Sequence, residues 1–184
     1  MALVSLAAEY RIPKRAIAVE ITLLAQSAKV IDRIRGRRAE RAVVHLFLSE
    51  RAQMREGAER LSDLLNSPGE FLPAVEPSHK VILLNKDALM VLTASAEAEF
   101  PAEELSVSTL AVGAGTSVQA EFTLQDGTEI KGRVGFVMPE GKKRLVDFLN
   151  LPERFFAVRE GALAQLINKK CIVRVSIIGH EPGK

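Results

Sequence analysis

The chain has 184 residues, of which 47% are hydrophobic and 26% charged, and a formal net charge of +2. This length suits one or two small cores, the composition is that of an ordinary globular protein, and so even a charge gives no general pull toward nucleic acid or a membrane surface. One cysteine, Cys171, excludes an internal disulfide and fits a reducing compartment. No apolar run reaches the roughly 18 residues of a bilayer span. Residues 1–10 lack the basic flank of a secretory signal, so a cytoplasmic location is expected.

Ile17, Val19, Ile21 and Leu23 alternate with Ala18, Glu20 and Thr22, the period of a half-buried strand. Residues 25–40 carry extra length with no clear pattern. A second strand is predicted at 43–48, joined by a longer connection to a short helix at 61–66, with strands at 71–75 and 81–92 after it. Residues 95–115 read as a linker, rich in Ala, Glu, Ser and Gly, holding Pro101 and a weak strand candidate at 105–112.

Beyond the linker, Val118, Ala120, Phe122 and Leu124 alternate with polar residues, and Asp126-Gly127 is a hairpin turn signal. The return strand, 128–138, contains Gly132, which permits a bend or a close backbone approach. Pro139-Glu140-Gly141 breaks it. Leu145, Phe148 and Leu149 then make the stripe of a short amphipathic helix. Asn150 is expected to end that helix, since Asn tolerates a left-handed cap. Residues 155–158 and 163–178 supply two more strands.

A stretch of the chain is written twice. Arg60-Leu61-Ser62-Asp63-Leu64-Leu65-Asn66 returns 84 positions on as Arg144-Leu145-Val146-Asp147-Phe148-Leu149-Asn150. Leu83-Leu84-Asn85-Lys86 returns 83 positions on as Leu166-Ile167-Asn168-Lys169. The period exceeds the roughly 20–50 residues of solenoid repeats and reads as a duplicated small domain. The expected fold is α+β, mainly β, with tandem β-β-α-β-β units forming small barrel-like or curled antiparallel sheets. The first unit spans 1–94 with an N-terminal extension, the linker 95–115, the second unit 116–179, and a fraying tail 180–184.

The recurring polar residues are the candidates for chemistry. Asp63 and Asp147 could form a catalytic carboxylate pair, one from each copy. Against this, Arg60 with Asp63, and Arg144 with Asp147, stand three apart on a helix and can pair locally. Asn66 and Asn150 suit helix ends, and Asn85 and Asn168 suit turns. No nucleophile and base recur beside them, so no catalytic residue and no cofactor is expected. His45, His79 and His180 lie too far apart for the usual spacing of a zinc site. Cys171 stands where the other copy has Ala88, as a small buried residue would.

The sharpest charge feature is the basic segment 33–41, with Arg33, Arg35, Arg37, Arg38 and Arg41. Clustered guanidinium groups can neutralise phosphates. No aromatic is interleaved, and single-strand binding generally uses stacking platforms. A solvated face or a protein-binding rim is the competing reading.

The Arg60–Asn66 signature, followed by Phe71-Leu72-Pro73 and Leu83-Leu84-Asn85-Lys86-Asp87, resembles an uncharacterised bacterial domain family whose units occur singly or in tandem. The likeness covers residues 60–92 and, more weakly, 118–175. The second copy has Val146 for Ser62 and Lys170 for Asp87, and lacks the proline. The resemblance implies a fold and leaves function open. Residues 118–137 are also similar to the first half of an Sm-like barrel, and Asn168-Lys169-Lys170-Cys171-Ile172 to its closing half. That likeness implies a small, bent barrel and a closing turn that contacts RNA. Here, however, the helix falls between the strands, and no Arg-Gly or Lys-Gly pair follows Asn168.

The expected role is therefore a non-catalytic protein-interaction or adaptor module, self-associating or part of a larger bacterial assembly, with exposed strand edges available for pairing. The alternative is nucleic-acid binding, RNA above all, through the 33–41 segment, with Lys169 and Lys170 as possible additions. A ligand site in a groove between the copies is the third reading, and no convergent polar set marks one.

Overall fold

Among the described residues, alternating apolar residues lay down strands, and the strands form one sheet. The computed structural model describes residues 14–24, 39–52, 56–100, 115–141 and 144–181. In chain order these are strands β1 (Lys14–Leu24) and β2 (Ala39–Ser49), helix α1 (Leu61–Asn66), and strands β3 (Phe71–Val75), β4 (Val81–Asn85) and β5 (Leu89–Ser95). Then come β6 (Thr116–Leu124), β7 (Glu129–Phe136), helix α2 (Leu145–Leu149), β8 (Phe155–Glu160), β9 (Leu163–Asn168) and β10 (Ile172–Glu181). Short 3₁₀ turns at Ala96–Ala98 and Lys169–Cys171 follow β5 and β9.

The strand order is β10-β6-β7-β8-β9-β5-β1-β2-β3-β4, which among the described residues makes ten strands in an open antiparallel sheet. Two runs of five make it up, β5-β1-β2-β3-β4 and β10-β6-β7-β8-β9, and each run has its helix between its second and third strand in chain order. A bulge falls at Met90 of β5 against β1, where Leu23 faces Leu89 and Thr22 faces Val91. Another falls 83 positions on, at Val173 of β10 against β6.

The strand count departs from the sequence reading. Each half has five strands rather than β-β-α-β-β, because 81–92 and 163–178 are each broken in the middle. The break is made by the asparagine: Asn85 Oδ1 accepts a hydrogen bond from the Asp87 backbone N–H at 2.9 Å, and Asn168 Oδ1 from that of Lys170 at 3.0 Å. Such side-chain turns compete with the strand ladder and bend the chain. Asn150 ends α2 as expected, but with a φ of −84°, which is not the left-handed conformation. The candidate strand at 105–112 lies outside the described residues. β10 runs on to Glu181, its backbone paired with Ser117.

Two apolar cores lie along the sheet. One gathers Val19, Ile21, Leu46, Leu61, Leu65 and Leu92; the other gathers Phe122, Ile130, Val134, Leu145, Phe156 and Val158. In the second, Phe148 stacks on Phe136 with ring centroids 4.9 Å apart and meets Phe156 edge-on at 5.9 Å. Cys171 is buried there as well. The Asp126-Gly127 turn forms as predicted: Gly127 has φ +86°, and Asp126 Oδ1 accepts from the Thr128 N–H at 2.9 Å.

Gly132 allows β7 and β8 to approach closely. A Cβ there would stand 2.5 Å from Val158 Cγ1 and 2.7 Å from the Arg159 carbonyl oxygen. Gly132→Ala is therefore expected to destabilise the fold by about 2 kcal/mol through overpacking. Gly135→Ala, where a Cβ meets nothing within 4 Å, should stay near wild type. Urea unfolding of the two variants tests the difference.

Candidate functional site

The helices are too short to stand alone, so their ends need partners. At the start of α1 the Arg60 N–H donates to Asp63 Oδ2 at 2.9 Å. At the start of α2 the Arg144 guanidinium grips Asp147 twice, at 2.9 and 3.0 Å. Each aspartate is thus engaged by the residue that opens its own helix.

The far ends are held by lysine. Lys86 Nζ donates to the carbonyls of Leu64 (3.3 Å) and Ser67 (2.8 Å), and Lys169 Nζ to those of Phe148 (3.3 Å) and Leu151 (3.0 Å). A cation at a helix C-terminus also meets the negative end of the dipole. Burial pushes both lysines below the ordinary lysine value; the Arg154 cation adds to the effect at Lys86, and Glu153 opposes it at Lys169.

Between the two runs lies a seam where β5 pairs with β9, from Val91 opposite Ile167 to Ser95 opposite Leu163. Asn66, the last residue of α1, crosses it: its Nδ2 donates to the Phe155 carbonyl and its Oδ1 accepts from the Phe155 N–H, both at 2.9 Å. Asn168 Nδ2 donates to the Leu89 carbonyl at 2.9 Å. Asp87 faces Arg154 at 3.1 Å and Lys170 at 3.2 Å. The counterparts Asn150 and Asn85 differ. Asn150 caps α2 through its backbone N–H, and Asn85 forms its turn.

Of the arginine cluster, Arg33, Arg35, Arg37 and Arg38 lie outside the described residues. Arg41 lies in β2, exposed, with an ion pair to Glu20 at 3.7 Å. Among the described residues no group of His, Cys, Asp and Glu is placed to hold a metal ion. No helix there is long and apolar enough to cross a membrane.

Sequence reasoning missed Glu99. It is buried beside α1, and its Oε2 accepts a 2.9 Å hydrogen bond from the Ser62 N–H. Burial raises its pKa to about 7, against the opposing pull of the Ser62 hydrogen bonds and of Arg60. Nothing in the pattern around residue 99 separates it from Glu97 or Glu103; the packed turn at 96–98 sets it apart from the exposed Glu97. No family model, curated protein or solved structure matches the chain.

Two expectations follow from this geometry. Asn66→Ala leaves the Phe155 N–H and carbonyl without their partner and should lower stability by about 2 kcal/mol in urea unfolding. Glu99 binds its proton more tightly folded than unfolded, since its folded pKa lies above the ordinary carboxyl value of 4.5. Its contribution is therefore fully present below pH 4.5, falls as pH rises toward 7, and levels off above. Glu99→Gln should flatten that decline, on the order of 3 kcal/mol, in unfolding free energies measured across the same window.

Proposed function

We propose that this chain is a non-catalytic interaction module made of two related halves, and that it binds partner protein by strand pairing at its open sheet edges. The observation that carries the reading is the pair of terminal strands. β4 and β10 end the sheet, and among the described residues neither has a further strand beside it. They carry large apolar side chains in solvent: Val81 and Leu83 on β4, Val173, Ile177 and Ile178 on β10. Isolated exposed apolar residues are common, but a row of them on an unpaired edge is a template for another chain.

The relation between the halves is supported by the shared strand order, the matched bulges and the matched lysine contacts. A structural role for the repeated polar groups is supported by their partners. Asp63, Asp147, Asn66, Asn168, Lys86 and Lys169 are each bonded to backbone or to a side chain of the scaffold. A carboxylate or amine so engaged is poorly available for proton transfer to a substrate.

Affinity capture of the tagged chain from its native cell, with and without nuclease, tests the reading. A discrete protein complex that survives nuclease and is lost in Leu83→Lys is the expected result. Recovery that depends on intact RNA or DNA would overturn it in favour of the 33–41 arginine segment. That alternative also predicts affinity falling steeply with salt and abolished by charge reversal at Arg35 and Arg37.

A further inference from the structure

The seam inside the molecule is a template for a seam between molecules. Residues 91–95 and 163–167 form the β5–β9 joint, and 83 positions away lie 174–178, on β10, and 80–84, all on β4 but Lys80. β10 matches β5, and β4 matches β9. From this we infer that β10 of one copy pairs antiparallel with β4 of a second copy, joining chains head to tail. The inference rests on the interaction-module reading and names its partner as this same chain.

Burial argues for it first. Leu166, Ala164 and Phe155 belong to the second run yet help to fill the first core. Leu166 is 0% exposed, while its counterpart Leu83 is 68% exposed; Phe155 is 1% and its counterpart Phe71 57%. Met90 of β5 is 0% exposed and Val173, its match on β10, 68%. The first core thus receives side chains across a seam, and the second run shows solvent the edge on which it would receive the same ones. Carrying over the internal register places Ile177 opposite Val81 and Val175 opposite Leu83, as Ala94 faces Ala164 and Leu92 faces Leu166.

Charge argues for it independently. Inside the molecule Asp87 meets Arg154 and Lys170. In the matched contact between copies Lys170 stands in the place of Asp87, Glu70 in that of Arg154, and Asp87 in that of Lys170. Both signs invert together, so the attraction is kept. Since Asp87 and Lys170 are each other's counterparts, the independent observation is Glu70 in place of Arg154, which keeps that contact attractive. Polar groups agree as well: Asn150 is placed to hold Phe71 of the next chain as Asn66 holds Phe155. Arg174 differs most, standing where Val91 does, and its guanidinium lies 4.0 Å from Glu121. A contact of this kind joins unlike surfaces, so it propagates into a closed ring or a filament.

The test uses the purified full chain. Light scattering from about 1 to 100 µM should give masses that are multiples of 20.1 kDa. Leu83→Lys and Glu70→Lys, both at exposed positions, should weaken association at least about tenfold with an unchanged circular dichroism spectrum. In a Cys171→Ala background, Val81→Cys mixed with Ile177→Cys should form a disulfide dimer under mild oxidation, and neither alone should. A monomer at every concentration, no effect of the edge variants, or disulfide dimers of Val81→Cys alone would each overturn the inference. A chain monomeric when pure that still captures another protein through β4 in the cell would sink self-assembly and leave the interaction module standing.

Discussion

The pairing of β5 with β9 is the constraint on which the rest of this molecule depends. Through it two five-stranded runs become one sheet, and through it the first core acquires Phe155, Ala164 and Leu166. Each run alone, some 85 residues or fewer, would bury a low fraction of its surface and hold together weakly. Hydrogen bonds along a strand pair are tolerant of sequence, so the specificity of the joint comes from what flanks it. The Asn66 amide fixes the register against Phe155, and Asp87 draws Arg154 and Lys170 to one place.

The polar residues that recur along the sequence have a common physical purpose. Backbone groups at helix ends and strand breaks cannot be left dry without a partner, and this chain supplies partners from a distance. Asparagine turns the strand, the adjacent lysine reaches back to the helix carbonyls, and the aspartate three residues into each helix meets the arginine that opens it. Such residues must be kept by any sequence that folds in this way, whatever its task. Their repetition therefore points to scaffolding, and a pair of carboxylates at matched positions is not a dyad unless they share a site.

Much of this was legible in the sequence. Alternation placed β1, β6 and β7 closely, and the Asp126-Gly127 turn and the leucine stripe of α2 fell where local chemistry put them. The strand breaks at Asn85 and Asn168 were not legible, because apolar residues continue on both sides and only the side-chain hydrogen bond tells a bent strand from a long one. Glu99 was hidden for a related reason: burial of a carboxylate depends on what packs over it, and the surrounding residues read as a polar linker. The seam itself could not be read at all. Whether two runs of strands stack, separate or share an edge depends on long-range pairing that periodicity does not encode.

The lysine contacts carry a consequence for how the protein comes apart. A helix of five or six residues has no persistence of its own in water, and here its last carbonyls are held by a side chain rooted just after a strand of the following hairpin. Loss of that hairpin would release the helix, and melting of the helix would leave an ammonium group in apolar surroundings without acceptors. The two pieces should therefore open together as one cooperative unit, so that amide protons in α1 and in the β3–β4 hairpin exchange with solvent at a shared rate.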